Sequence, residues 1–121
     1  MPRNQLPRTG PELKDWLVAR FPGFIEAFAD PWYYPDATRV TPHAVCSEFT
    51  DYYRKRVLNF DAPEVVETFA MAETVIAADR LRSDDVANAL CTCFLENISC
   101  TDEGHAGRRH MGPASLSFFD G

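Results

Sequence analysis

Residues 61–98 read DAPEVVETFAMAETVIAADRLRSDDVANALCTCFLENI, and this stretch decides the fold. Asp61 is the expected cap of a first helix, with Pro63 in the opening turn, where proline is tolerated. Asp84 and Asp85 open a second helix, because carboxylates favour the positive end of the helix dipole. The turn between the two helices, around residues 80–82, is very short. The two helices are therefore predicted to pack as an antiparallel hairpin.

Apolar residues recur at helical spacing in both halves of this stretch. The first helix has the predicted buried stripe Val65, Phe69, Ala72 and Ile76, and the second has Leu90, Phe94 and Ile98. Intervals of three and four residues place each set on one face of a helix. No segment of the sequence has the strict alternation of a half-buried strand. The pattern predicts helices throughout the chain.

Two further helix starts lie upstream of the hairpin. Thr41 precedes Pro42, and the following residues repeat apolar side chains as far as Val57. Thr9 and Glu12 have the spacing of a capping box, which predicts a helix that ends before Pro22-Gly23. A short helix from Phe24 to Ala29 should follow. Residues 1–8 contain two prolines and no apolar period, and we expect them to be a flexible arm.

Downstream of the hairpin, the sequence predicts a loop and one more helix. Residues 101–111 are polar and contain two glycines, which is typical of a loop. Gly112 and Pro113 then open a short last helix. The predicted architecture is all-α, with about six helices in a compact antiparallel bundle of stacked helical hairpins. Residues 9–121 are predicted to form a single helical domain.

Charge is distributed unevenly along the 121 residues. Residues 1–60 contain eight Lys or Arg and seven Asp or Glu, a net charge of 8 − 7 = +1. Residues 61–121 contain four basic and eleven acidic residues, a net charge of 4 − 11 = −7. An acidic half lacks the cations that contact phosphates, so we expect no nucleic-acid partner. It favours either a basic protein partner or a solvated acidic face.

Location is predicted from the absence of two sequence features. No apolar run approaches the roughly 18 residues needed to span a bilayer, so no membrane partner is expected. The first residues lack the apolar stretch of a secretion signal. We therefore expect the protein to be cytoplasmic.

The most unusual loop runs from Asp30 to Asp36 and contains two prolines and three adjacent aromatic residues, Trp32, Tyr33 and Tyr34. The prolines exclude a regular helix, and three neighbouring rings cannot all point into one core. Such rings either close the core or anchor a protein interface, for which Trp and Tyr are preferred. The sequence leaves both possibilities open.

Cysteines and histidines in the second half suggest one alternative chemistry. Cys93 and Cys100 can share a helix face, and a loop histidine such as His105 would complete three metal ligands. Cys91 is two residues from Cys93, about 200° around a helix axis, and cannot join the same ion. The spacing matches no common zinc motif, and a helical cysteine usually behaves as a small apolar residue. We predict no metal and no cofactor.

Catalytic motifs are missing from the sequence as well. There is no glycine-rich phosphate loop, no helical His-Glu-x-x-His and no nucleophile elbow. The acidic pair at Asp84 and Asp85 is explained as a helix start. We predict no catalytic residues and a protein that is not an enzyme.

Two short motifs carry a family resemblance from residue 61 onward. Residues 93–98 read CFLENI and end a helix, and residues 111–115 read MGPAS and begin the next. The chain resembles a group of small bacterial all-helical proteins of uncharacterised activity, which are similar to immunity proteins of secreted polymorphic toxins. The resemblance implies that Glu96 and Asn97 close a helix and that Gly112 fixes the next start.

Together these features predict a cytoplasmic immunity-type protein. It would bind and neutralise a cognate antibacterial toxin by occluding a basic active-site cleft with an acidic surface. The predicted partner-binding residues are the aromatic and acidic side chains Trp32, Tyr33, Tyr34, Asp84, Asp85, Glu96, Asp102 and Glu103. The alternatives are a metal-binding or enzymatic protein that uses Cys93 and Cys100, and a scaffold subunit of a larger complex.

Overall fold

The computed structural model describes residues 6–121, and this part of the chain is all-α, as predicted. The first half contains α1 (Gly10–Arg20), 3₁₀ turns at Pro22–Phe28 and Ala37–Arg39, and α2 (Pro42–Arg56). The second half contains α3 (Pro63–Ala78), α4 (Asp85–Ala89), a π-helical segment (Leu90–Leu95), α5 (Glu96–Ile98), α6 (Asp102–Gly107), a 3₁₀ turn (Arg108–His110) and α7 (Pro113–Phe119). Within the described residues, α4, the π segment and α5 form one continuous helix, residues 85–98, here called the π-containing helix.

The predicted hairpin is confirmed. The ring of Phe69, midway along α3, lies 5.7 Å from the ring of Phe94 near the far end of the π-containing helix. The end of α3 and the start of the π-containing helix line one cavity, to which Ile76 and Ala87 both contribute. The contacts therefore run in opposite chain directions. The predicted apolar stripes of both helices are buried.

Helix starts in the structure follow local side-chain chemistry. The backbone N–H groups of Glu12 and Ala44 donate to the hydroxyls of Thr9 and Thr41 at 3.2 and 3.1 Å. Asp84 accepts from the two amides that open α4. These caps satisfy amides that have no partner inside the helix. The Glu12 carboxylate bonds the amide of Arg8 instead of completing the predicted capping box.

One predicted cap is wrong. The residue that precedes α3 is Ala62, and it forms no side-chain hydrogen bond to the helix. The Asp61 carboxylate instead pairs with the guanidinium of Arg109 and lies 3.0 Å from the ring of His110. A charged guanidinium group forms stronger hydrogen bonds with a carboxylate than a backbone amide does. The Asp61 side chain therefore links the start of residues 61–121 to the 3₁₀ turn near their end. The N-terminus of α3 is left without a side-chain cap.

The predicted loop between residues 101 and 111 is also wrong, because this segment is α6 followed by a 3₁₀ turn. Thr101 caps α6 by accepting the amide of Gly104 at 2.9 Å. A Cβ atom on Gly104 would overlap the carbonyl of Ile98, and one on Gly107 would overlap the hydroxyl of Tyr53. These glycines permit close packing of a helix, which composition alone does not distinguish from the flexibility of a loop.

Aromatic rings join the helices at the centre of the core. Phe49 and Tyr53 on α2 lie 5.3 and 5.7 Å from Phe94. Tyr53 also meets Phe69 of α3 edge to face at 5.9 Å. Offset and edge-to-face arrangements are the favourable ones for aromatic pairs. This cluster fixes α2 against the hairpin, and its burial supplies much of the apolar stabilisation.

The last helix begins at Gly112 and Pro113, as predicted, but a residue of α3 holds it in place. Glu73 accepts hydrogen bonds from the amides of Ala114 and Ser115 at 3.1 and 2.9 Å. A Cβ atom on Gly112 would overlap the Glu73 side chain. The glycine is thus required by the close approach of a capping carboxylate.

Residues 6–8 of the predicted arm lie within the described part of the chain. Residues 1–5 of the predicted arm lie outside the described residues. Leu6 packs against the core and Pro7 is buried. None of the helices in residues 6–121 has both the length and the apolar character needed to cross a bilayer.

Candidate functional site

The loop at residues 30–36 has a defined conformation. The Asp30 carboxylate accepts the amide of Trp32 at 2.8 Å, and the Asp30 carbonyl accepts the amide of Tyr34 at 3.0 Å. At the other end, Asp36 caps the following 3₁₀ turn by accepting the amide of Thr38. Local bonds of this kind hold aspartate-rich turns in one shape. The aromatic residues are therefore presented from a structured turn.

Tyr34 anchors this loop to the body of the protein. Its ring lies 5.0 Å from Phe28, which in turn meets the buried ring of Phe24 edge to face at 5.2 Å. Burial, the negative charge of Glu48 and a hydrogen bond to that carboxylate all raise the pKa of Tyr34. Of the three adjacent aromatics, Tyr34 is the one that closes the core.

Trp32 and Tyr33 project into solvent. Their relative exposures are 85% and 68%, in contrast to the half-buried Tyr34. Both rings leave a large apolar area in water, and the hydrogen bonds that hold the turn do not require this exposure. Tryptophan and tyrosine in this setting have the properties of interface anchors, because they bury a large area at a small cost in side-chain entropy.

Acidic residues of α2 and of the 3₁₀ turn at Pro22–Phe28 line a groove that meets the aromatic loop at Glu48, the hydrogen-bond partner of Tyr34. This groove of about 300 Å³ is lined by Glu26, Glu48 and Asp51, together with Tyr52 and Arg56. Partial burial and the neighbouring charge of Asp51 raise the pKa of Glu48, although the hydrogen bond from Tyr34 lowers it. Repulsion of this kind is relieved when a cation approaches. We call Trp32, Tyr33, Tyr34, Glu26, Glu48 and Asp51 the aromatic–acidic face.

Sequence reasoning missed the acidic part of this face. Its carboxylates come from residues 1–60, whose net charge is close to zero. The charge count therefore led to the acids of residues 61–121 instead. The local signal was Glu48 and Asp51, three residues apart and therefore neighbours on the surface of α2. Lys55 forms an i,i+4 pair with Asp51 at 2.8 Å, and both side chains remain largely exposed.

The five acids predicted in the second half are divided between two ends of the molecule. Asp84 and Asp85 lie where the π-containing helix begins, beside the start of α2. Glu96 lies twelve residues further on, about 18 Å along a helix. Asp102 and Glu103 begin α6 near the end of α2. These side chains do not meet in one patch.

Two of those five acids have structural contacts. Asp84 caps α4 through the amides of Val86 and Ala87. Glu103 pairs with Arg54 at 2.9 Å. The other three, Asp85, Glu96 and Asp102, are exposed. The two nearby arginines have other partners, since Arg108 pairs with Asp120 and Arg109 with Asp61.

The predicted neighbours of Cys93 are different in the structure. Its sulfur lies 3.2 Å from Nδ1 of His43, a residue of α2 some fifty positions earlier. Cys100 is exposed, with the Ser99 hydroxyl 3.8 Å from its sulfur. The ring of His105 faces Phe119 at 5.4 Å. Within residues 6–121, no group of three or more His, Cys, Asp or Glu side chains is placed to hold a metal ion.

Comparison with known proteins identifies a family but no characterised relative. No curated protein and no solved structure matches the chain significantly. Residues 14–121 match the family described as a domain of unknown function, DUF7674. The match covers both halves of the helical domain, including α2, the hairpin and α7. The chain therefore belongs to the DUF7674 family.

Proposed function

We propose that this protein is a cytoplasmic immunity-type inhibitor, which binds a cognate antibacterial toxin through the aromatic–acidic face. The observation that carries the proposal is the exposure of Trp32 and Tyr33 on a turn that is braced at both ends. The resemblance of residues 93–98 and 111–115 to small bacterial helical proteins supplies the class of partner. Many toxin domains that act on nucleic acids have basic clefts, which an acidic inhibitor can occlude.

The aromatic pair supplies the proposed affinity. Each ring adds a large apolar area that becomes buried when a partner covers it. Because the turn is already ordered by Asp30 and Asp36, binding costs little additional backbone entropy. Loss of one such anchor typically weakens an interface by about 2 kcal/mol, or about 30-fold in Kd.

The carboxylates beside the rings supply the proposed selectivity for a basic partner. Glu48 and Asp51 repel one another, and Glu48 is partly withdrawn from water. Lys55 already pairs with Asp51, and Arg56 lines the same groove. The partner's lysine or arginine is therefore proposed to lie beside Glu48. Charges at the edge of an interface act mainly on the association rate, which then falls as salt is added.

The experiment is a binding titration with the cognate toxin domain, sought first among the products of the neighbouring genes and purified in an inactivated form. Glu48→Gln with Asp51→Asn should slow association and flatten its salt dependence. The matched control replaces the exposed acids of the second half, through Asp85→Asn, Glu96→Gln and Asp102→Asn. A larger effect of the control set would move the acidic contact to the second half. Unchanged association in both sets would contradict an acidic interface.

A further inference from the structure

A half-buried thiol lies beside an imidazole at the start of α2. Cys93 Sγ is 3.2 Å from His43 Nδ1, and the hydroxyl of Thr92 is 3.6 Å from the same sulfur. On the other side of the ring, His43 Nε2 is 3.4 Å from the side-chain nitrogen of Asn88. Two helices meet here, since His43 belongs to α2 and both Cys93 and Asn88 belong to the π-containing helix.

We propose that Cys93 is a nucleophilic thiol, that His43 accepts its proton, and that Asn88 positions the imidazole. The site is a covalent modification site for small, uncharged carbon electrophiles. A nucleophile, a base at hydrogen-bond distance and a third group that orients the base are the recurring parts of an activated thiol. The proposal is independent of toxin binding.

The chemistry requires one proton transfer and one substitution. A half-turn of the Asn88 amide first places its Oδ1 against His43 Nε2, where it accepts the Nε2 proton and leaves Nδ1 free as an acceptor. The thiol proton then moves from Cys93 Sγ to His43 Nδ1, leaving a thiolate and an imidazolium. The thiolate then attacks the electrophilic carbon, a C–S bond forms, and the leaving group departs with its electron pair. The imidazolium returns its proton to solvent.

The pair lies at the N-terminal end of a long helix. His43 lies in the first turn of α2, a helix of 15 residues whose N-terminus carries partial positive charge. Thiolates are stabilised by helix N-termini and by nearby imidazolium groups. The two side chains that make polar contacts with the pair, Thr92 and Asn88, are uncharged, which suits an uncharged electrophile.

The other three cysteines provide internal comparisons. Burial raises the pKa of Cys91 to about 11, and burial also raises the pKa of Cys46 strongly. Both should stay protonated and unreactive in the folded protein. Cys100 is more exposed than Cys93, and its described polar neighbour is the hydroxyl of Ser99. If exposure alone determined the rate, Cys100 would react first. If His43 activates the thiol of Cys93, Cys93 reacts first.

The test is timed alkylation of the full chain with iodoacetamide at pH 7, followed by peptide mass spectrometry. An ordinary thiol is only a few per cent ionised at this pH. We expect Cys93 to react about tenfold faster than Cys100. Cys46 and Cys91 are protected from the reagent only in the folded protein. Any variant in which both stay unlabelled is therefore folded, and the same sample provides this control. Reaction of Cys93 no faster than Cys100 would overturn the proposal.

Variants then separate activation from packing. His43→Ala should bring the Cys93 rate down to that of Cys100, and added imidazole should restore part of it. Asn88→Ala should slow Cys93, whereas Asn88→Asp should match or exceed the wild-type rate, because a carboxylate holds the imidazolium more strongly than an amide. A His43→Ala rate equal to wild type, or equal rates in both Asn88 variants, would contradict the assigned roles.

Discussion

Glu73 illustrates how one side chain can decide where a distant helix begins. Its carboxylate accepts two backbone amides of α7 and the hydroxyl of Ser115, all from residues about forty positions later. Burial opposes its charge and raises its pKa, but these hydrogen bonds outweigh burial and hold the pKa of Glu73 below the ordinary value. The charged form is therefore the form that stabilises the fold.

Glu73→Ala should lower the free energy of unfolding by about 1–3 kcal/mol, because three donors lose a charged acceptor. Urea denaturation followed by circular dichroism measures this change. Thr74→Ala is the matched control, since Thr74 is an exposed neighbour on the same helix and should change stability by at most about 0.5 kcal/mol. Equal losses in the two variants would contradict the assigned role of Glu73.

The same residue predicts a pH dependence. A lowered folded-state pKa contributes stability that is complete above the unfolded value, 4.5, and is lost as the pH falls through the folded value. Glu73→Gln does not titrate. The stability difference between wild type and Glu73→Gln should therefore be constant from neutral pH down to about pH 5 and should shrink below 4.5. A difference that grows on acidification would reverse the sign and exclude this explanation.

Residue-scale contacts of this kind were only partly predictable. Thr9, Thr41 and Asp84 cap helices within three residues of themselves, so the local sequence specifies them. Asp61 has the same local pattern, yet its partner is Arg109. The choice depends on which cation the fold brings near, and spacing along the chain contains no information about it.

At the scale of elements, long amphipathic helices were predictable and α6 was not. The stripes of α3 and the π-containing helix have many apolar positions, which give a strong periodic signal. α6 has only six residues, including Gly104 and Gly107, and its buried face is formed largely by backbone. A helix without large apolar side chains leaves no period to detect.

Gly107→Ala tests this explanation of α6. The added methyl group would overlap the hydroxyl of Tyr53 and crowd the ring of Phe69. We expect a loss of about 1–3 kcal/mol in unfolding free energy, despite the higher helix propensity of alanine. Asp102→Ala, an exposed position of the same helix, should cost at most about 0.5 kcal/mol. A stabilising Gly107→Ala would mean that α6 does not pack against Tyr53.

For the whole molecule, the distribution of charged residues along the sequence differs from their distribution in the folded structure. Arg20 and Arg54 of the near-neutral first half pair with Glu67 and Glu103 of the acidic second half. Cations of the first half therefore neutralise part of the acidic charge of the second half in the folded chain. The aromatic loop could be recognised in the sequence. Its acidic neighbours could not, because they come near it only when α2 and Phe28 pack against the loop.

The proposed neutralisation of a toxin through Trp32 and Tyr33 is tested most directly by the growth of cells that produce the cognate toxin. Wild-type protein should restore growth, and Trp32→Ala with Tyr33→Ala should fail to do so at equal protein level. The matched control, Leu58→Ala with Leu81→Ala, removes apolar side chains that are 94% and 88% exposed elsewhere, and it should protect fully. Lack of protection by the wild type, or full protection by the aromatic variant, would contradict the account.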